Sequence, residues 1–182
     1  IDLLISQTKR CSEILKKISK KQIEEDIFLS SIKLEDLLEE IIDSFKETSS
    51  KKIDLILDND NNKINIERTP EIIYGLRNFI GNAVKFSKSN VKISLNSDLN
   101  KIEIKINDDG PGIPDDIINK IGEPYIKSKS IELNSNSGLG LGTFLGKTLL
   151  ERQGANLSFR RKTELGGALV TISWDPKKLI NS

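Results

Sequence analysis

VKISLNSDLNKIEIKINDDGPGI, Val91 to Ile113, alternates apolar and polar residues on both sides of the polar turn SDLN. Strict period-two alternation sends one face of each segment into a core and the other into water, so the two halves read as an antiparallel hairpin. The second strand runs out into NDDGPGI. Asp-Gly and Pro-Gly are turn dipeptides, and a turn alone explains them. The same residues also place the Asp108 carboxylate, an acceptor suited to an exocyclic amine, next to Gly110 and Gly112. Missing side chains at those glycines let the backbone pass close to a flat ring.

Upstream, Thr69-Pro70 reads as an N-cap followed by proline at the first helical position, opening a helix through about Ser87. On it Asn78 and Asn82 are i,i+4 and Lys85 follows at i+3, so the three share a face. Ile72, Ile73, Leu76, Phe79, Ile80 and Ala83 fill the rest. An amide offers a neutral hard oxygen that suits Mg²⁺, a cation that keeps waters and shares itself with phosphate oxygens. A solvated helix face is the competing reading of the stripe. Further upstream, KIDLILDN and NKINIE read as short strands, and KLEDLLEEIIDSF as an amphipathic helix with Leu34, Leu37, Leu38, Ile41, Ile42 and Phe45 on one stripe. A heptad-like seam runs along Ile1, Leu4, Thr8, Cys11, Leu15, Ile18 and Gln22, the pattern of a helix that packs on a partner helix. The charged bridge after it puts a domain boundary near Ser30, dividing the chain into 1–29 and 30–182.

Downstream, PDDIINKIG reads as a short helix closed by Gly122. Glu123 to Ser137 is polar and irregular, the composition of a lid. SGLGLGTFLGKTLLERQGA, Ser137 to Ala155, then places glycines ahead of a leucine-rich helix that Gly154 ends. Its GKT resembles the end of a P-loop, but Leu141 stands where that motif needs glycine, and no strand feeds the run as a dinucleotide fingerprint requires. What remains is a set of free backbone N–H groups at a helix start, able to receive an anion. NLSFRRK and GALVTISW make a last strand pair. Hairpin strands with helices between them predict an α+β two-layer sandwich, one sheet covered on one face by about three helices.

Composition narrows the function. Charged residues are 30% of the 182 but nearly cancel, at a net +1, and aromatics are 5%. Neither a basic nucleic-acid surface nor a base-stacking platform is indicated. One cysteine excludes an intramolecular disulfide framework, and no apolar run approaches the roughly 20 residues that span a bilayer. The absence of histidine removes the commonest general base and metal ligand.

The order of the pieces carries more weight than any one of them. An N-x-x-x-N-A-x-K-F helix, D-x-G-x-G-I after a strand, E-P-Y in a polar segment and G-x-G-x-G opening a helix together resemble the ATP-binding domain of sensor histidine kinases. That is the Bergerat or GHKL fold, shared with gyrase, Hsp90 and MutL, and the resemblance covers Leu34 to Trp174. It implies that Asn82 ligates Mg²⁺, that Asn78 and Lys85 lie near the triphosphate, and that Phe86 lines the nucleotide. It implies that Asp108 pairs with the adenine amino group, with Gly110, Gly112 and Ile113 around the base. Lys127 or Ser128 would approach the phosphates from the lid. Gly138, Leu139, Gly140, Leu141 and Gly142 would wrap them, with Thr143 starting the helix behind, and Thr171 would support Asp108 from the last strand.

IGEPYIKSKS, the glycine-run helix and QTKRCSEIL further resemble redox-responsive kinases of the RegB/PrrB/ActS type, which makes Cys11 the redox candidate. The first helix resembles the second helix of the dimerisation hairpin. The resemblance therefore implies a homodimer through that hairpin and a cytoplasmic piece of an inner-membrane sensor. The expected reaction moves the γ-phosphoryl of ATP to a histidine absent from this chain, for relay to a response regulator receiver domain. A gyrase/MutL-class ATPase, or a nucleotide-binding module without catalysis, is the alternative.

Overall fold

The computed structural model describes residues 31–58, 64–124, 141–163 and 165–180. The segment 1–29, Cys11, Lys127, Ser128, Gly138, Leu139, Gly140 and most of the expected lid lie outside the described residues. The described elements are β1 (Ser31–Lys33), α1 (Leu34–Lys46), β2 (Lys52–Leu57), β3 (Asn65–Glu67), α2 (Pro70–Phe86), β4 (Asn90–Ser97), β5 (Ile102–Asp108), α3 (Leu141–Arg152), β6 (Asn156–Arg160), β7 (Leu169–Trp174) and the short α4 (Pro176–Ile180).

Five strands form the main sheet in the order β2-β4-β5-β7-β6. Val91 to Ser97 pairs antiparallel with Ile102 to Asp108, the hairpin its alternation predicts. Its turn is held by Asp98, whose Oδ1 accepts from the backbone N–H of Asn100 at 2.7 Å and of Lys101 at 2.8 Å, the local bonding for which aspartate is favoured in turns. Val91, Ile93, Ile102, Ile104 and Ile106 are buried beneath the helices. Lys92, Ser94, Glu103, Lys105 and Asn107 occupy the alternate positions, on the face without helices. The result is a two-layer sandwich with one wet face. β2 alone pairs in parallel, with β4, which requires a crossover, and β3 and α2 supply it.

Thr69 caps α2, its Oγ1 accepting from the Ile72 N–H at 3.3 Å, with Pro70 at the helix start. α1 buries its Leu34, Leu37, Leu38, Ile41 and Ile42 stripe, and α2 buries Ile72, Leu76, Phe79 and Ile80. α3 crosses α2 closely because the contact is lined with glycine. A Cβ on Gly75 would stand 2.5 Å from Leu150 Cγ, and one on Gly146 would stand 3.0 Å from Asn78 Cβ. Gly154, at φ 77°, ends α3 as expected.

Three features depart from the sequence reading. β1, which was not anticipated, pairs with β3, the short strand expected within NKINIE, in a separate two-stranded sheet. The segment after Pro114 holds only the 3₁₀ turn Ile118–Lys120, although Gly122 does close it, at φ 87°. α4, with Leu179 buried against the core, was not anticipated.

Candidate functional site

The face shared by Asn78, Asn82 and Lys85 meets the first turns of α3. Asn82 Nδ2 donates to Thr143 Oγ1 at 3.2 Å. Asn78 Nδ2 donates to the Tyr74 carbonyl at 2.7 Å, and its Oδ1 would lie 3.2 Å from a Cβ on Gly142. Gly142 is thus the residue that lets the start of α3 approach the stripe. Lys85 is exposed one turn beyond Asn82, its Nζ 5.4 Å from the centre of the Phe86 ring. Phe86 is itself 44% exposed, an aromatic surface left bare at the end of α2.

Asp108 closes β5 and is 6% exposed. Its Oδ1 accepts from the N–H of Gly110 at 2.8 Å and of Ala168 at 3.3 Å. No described residue donates to Oδ2. Burial pushes the carboxyl above the usual carboxylate range, while the Gly110 and Ala168 N–H groups pull it down. The backbone around it is crowded. A Cβ on Gly110 would stand 2.3 Å from the Phe86 carbonyl oxygen, and one on Gly112, at φ 81°, 2.3 Å from that of Arg161. Ile113 N–H donates to the same Arg161 oxygen at 2.9 Å. Asp108 and Gly110 therefore meet the end of α2 at the Phe86 carbonyl, while Gly112 and Ile113 pack against the Arg161 carbonyl just past β6.

Thr171 needs correction. It pairs with Lys105, while the Asp108 N–H bonds to the Ala168 carbonyl at 3.1 Å. The register puts Thr171 on the wet face of the sheet, opposite the side on which Asp108 is buried, so it does not support that carboxylate. Gly167 and Ala168 do, and the sequence reading missed them. A Cβ on Gly167 would stand 2.2 Å from both the Asp108 carbonyl oxygen and its Oδ1. The Gly166-Gly167 pair signals a turn in sequence, but not which carboxylate it will meet.

The donor set suits a cation that brings its own oxygens. Among the described residues no group of three or more His, Cys, Asp or Glu is placed to hold a metal ion. With Nδ2 of Asn82 on Thr143 and Nδ2 of Asn78 on the Tyr74 carbonyl, each side chain leaves its Oδ1 as a hard neutral oxygen on this face. Mg²⁺ accepts such a site when phosphates and waters complete its shell. Between Glu71 and its C-terminus, α2 holds no Asp or Glu, so the helix offers no base next to Asn82. No helix among the described residues is long and apolar enough to cross a membrane.

Sensor histidine kinase RegB of Cereibacter sphaeroides is 33% identical over 98% of this chain and 42% of its own length. The chain thus spans less than half of that relative. The catalytic domain of histidine kinase ThkA superposes with a TM-score of 0.66 at 24% identity, covering 82% of this chain and 97% of that one. Full-length ShkA, solved in complex with AMPPNP, gives 0.64 at 23%, covering 82% of this chain and 32% of that one. At such identities the likeness is one of fold. Residues 68–178 match the family model described as histidine kinase-, DNA gyrase B-, and HSP90-like ATPase, and the chain belongs to that family.

Proposed function

We propose that this chain binds Mg-ATP and transfers its γ-phosphoryl to a histidine outside these 182 residues, which hold none, as the catalytic part of a sensor histidine kinase. The observation that carries the reading is Asp108, a nearly buried carboxylate whose two protein donors both fall on Oδ1. Its Oδ2 is left as the acceptor for the adenine amino group, with Gly110, Gly112 and Ile113 beside the ring. Asn82 would hold Mg²⁺, which neutralises phosphate charge when bound. Asn78 and Lys85 lie on the same face, and Gly142 and Thr143 begin α3 with backbone N–H groups available to phosphate oxygens. The chain's own part in the chemistry is positioning and charge complementarity, the larger share of phosphoryl-transfer catalysis. Lacking a carboxylate near Asn82 on α2, it favours a protein acceptor over water.

Calorimetry with Mg-ATP is the first test. Asn82→Ala is expected to abolish Mg²⁺-dependent binding, and Asp108→Asn to weaken ATP and erode its preference over GTP. Wild-type affinity in either variant removes that residue from the site. Transfer of labelled phosphoryl to an added histidine-bearing helix hairpin separates a kinase from an ATPase, which releases phosphate, and from a binding module, which does neither. The likeness to RegB supports a wider reading: a membrane-bound sensor that dimerises through a hairpin containing Cys11, acts on a response regulator, and responds to oxidation of that thiol. Autophosphorylation of a hairpin-bearing protein under reducing and oxidising conditions tests it. An equal response in Cys11→Ser would leave the thiol a packing group.

A further inference from the structure

The loop joining α2 to β4 is gripped from two sides by oppositely charged side chains that come from elsewhere in the chain. Lys51, immediately before β2, donates from Nζ to the carbonyl oxygens of Val84 at 2.5 Å, Lys85 at 3.3 Å and Ser87 at 2.6 Å. Val84 and Lys85 belong to the last turn of α2 and Ser87 caps it, where carbonyls lack intrahelical partners and the helix dipole is negative. Asp109, immediately after β5, accepts from the N–H groups that follow. Its Oδ1 takes Lys88 at 2.7 Å and Ser89 at 3.0 Å, and its Oδ2 takes the Asn90 N–H at 3.0 Å and Asn90 Nδ2 at 3.0 Å. Backbone bonds from Lys52 to Ser89 at 2.8 Å and from Asp109 to Asn90 at 3.2 Å fasten the same loop to both strands.

The Phe86 carbonyl sits inside this grip, between oxygens that Lys51 holds, and it is the group against which Gly110 packs. The joint therefore sets how the end of α2 stands relative to Asp108 and Gly110. Asn82, a turn earlier, is tied instead to Thr143 of α3.

We propose that Lys51 is a positioning and specificity-determining residue of the nucleotide site, one that fixes the C-terminus of α2 against Gly110 and so holds the base-reading end in register. The proposal rests on the nucleotide reading above. Lys51 touches neither the base nor the phosphates in this assignment. It acts through the helix end, and its charge also reaches Asp108, favouring the ionised carboxylate that accepts the adenine amine.

The test compares wild type with Lys51→Met, which keeps the stem and removes the donors, and Lys51→Arg, which keeps donors and charge. Affinities for Mg-ATP, Mg-GTP and Mg-tripolyphosphate are measured by calorimetry, with amide exchange read at Lys88 to Asn90. Loss of charge-assisted bonds at the joint is expected to weaken ATP about tenfold in Lys51→Met and to narrow the ATP-over-GTP preference. Tripolyphosphate, held at the Asn82 and α3 end, should bind as in wild type. Exchange at Lys88 to Asn90 should quicken, and Lys51→Arg should restore ATP affinity and preference. The proposal is overturned if Lys51→Met binds ATP as wild type does, or if ATP and tripolyphosphate weaken in parallel. Should Lys51→Met not fold, Lys51→Gln, uncharged but still a donor, carries the same comparison. Failure of wild type to bind Mg-ATP would sink the nucleotide reading itself. Normal ATP binding by Lys51→Met beside a defective Asp108→Asn would sink only the role of Lys51.

Discussion

The two walls of the candidate site are held by different physics. At the end of β5, Asp108, Asp109 and Gly110 are fixed by short hydrogen bonds to backbone groups of the α2–β4 loop and of Ala168, with carbonyl oxygens packed directly against glycine Cα atoms. At α3, the described contacts with the Asn78 and Asn82 face are steric, Gly142 and Gly146 against α2, plus the one bond from Asn82 to Thr143. The Asp108 bonds leave this wall little slack, because displacing a buried donor from its acceptor costs about 1–3 kcal/mol, and the exposed Asp109 bonds add to it by their number. A helix resting on glycines can shift by fractions of an ångström at small cost. The rigid wall is where base recognition is proposed, and the adjustable one is where the phosphates are proposed to bind.

The strongest challenge to that contrast is a single methyl group. Gly167→Ala would drive a Cβ into the Asp108 carbonyl oxygen and Oδ1, each 2.2 Å away, and neither can yield without breaking the bonds that hold the strand end. A loss of about 2–3 kcal/mol in urea unfolding is expected. If Gly167→Ala unfolds like wild type, the wall is softer than its bonding implies.

Asp109→Asn removes the charge from the grip on the loop and should cost about 1 kcal/mol near neutral pH, a modest figure because water reaches the carboxylate. Partial desolvation works against its ionisation, but the N–H groups of Ser89, Asn90 and Lys88 prevail and lower the carboxyl from 3.8 to about 2. A carboxyl depressed in the folded state stabilises it fully above the unfolded value and ceases to do so as pH falls through the folded one. Wild type should therefore lose this increment between about pH 4 and pH 2, and Asp109→Asn should show a shallower acid decline. Glu40, bonded to Arg68, and Glu103, bonded to Lys101 and Lys105, are lowered as well. The readout is accordingly the difference between variant and wild type, and parallel acid curves would remove Asp109 from the grip.

Gly142→Ala probes the other wall. Among the described residues its Cβ would meet Asn78 Oδ1 alone, at 3.2 Å, and alanine is favoured over glycine in a helix by about 1 kcal/mol. Stability is expected to stay within about 0.5 kcal/mol of wild type, with any loss confined to triphosphate affinity. A cost equal to that of Gly167→Ala would show both walls to be equally rigid, and the contrast would go.

The same difference explains what the sequence could tell. Period-two alternation and an N-cap are local, so β4, β5, α2 and the stripe of Asn78, Asn82 and Lys85 were readable without tertiary knowledge. So was Asp108 at the end of its strand. The polar wall was not, because its partners are remote. Lys51 meets Val84 and Ser87 across 33 and 36 residues, and nothing near it in sequence sets it apart from the other lysines. Thr171 was misread for a related reason. Where β7 begins depends on how the turn around Gly166 and Gly167 closes, and that turn is set by contact with Asp108, so the register could not be counted from the strand alone. β3 was legible within NKINIE, whereas β1 has too few alternating residues to be seen and is defined by its pairing with β3.

The smallest stability effect is expected at the residue on which the proposed function depends most. In Asp108→Asn the amide oxygen can take the place of Oδ1 and keep the N–H groups of Gly110 and Ala168, so the wall loses no described bond. The carboxyl is raised by burial in wild type. Above the unfolded value the folded state therefore carries a buried charge that the unfolded state ionises more easily, and stability declines as pH rises through that range. An amide removes this penalty. Asp108→Asn should unfold within about 0.5 kcal/mol of wild type at neutral pH, or slightly above it. Its amide then presents N–H where Oδ2 stood, a donor facing the donor of adenine, and ATP affinity should fall although the protein is as stable as before. A variant that lost stability and affinity together would make Asp108 a structural residue of the wall, whereas unchanged stability with lost affinity separates what the carboxylate binds from what binds it.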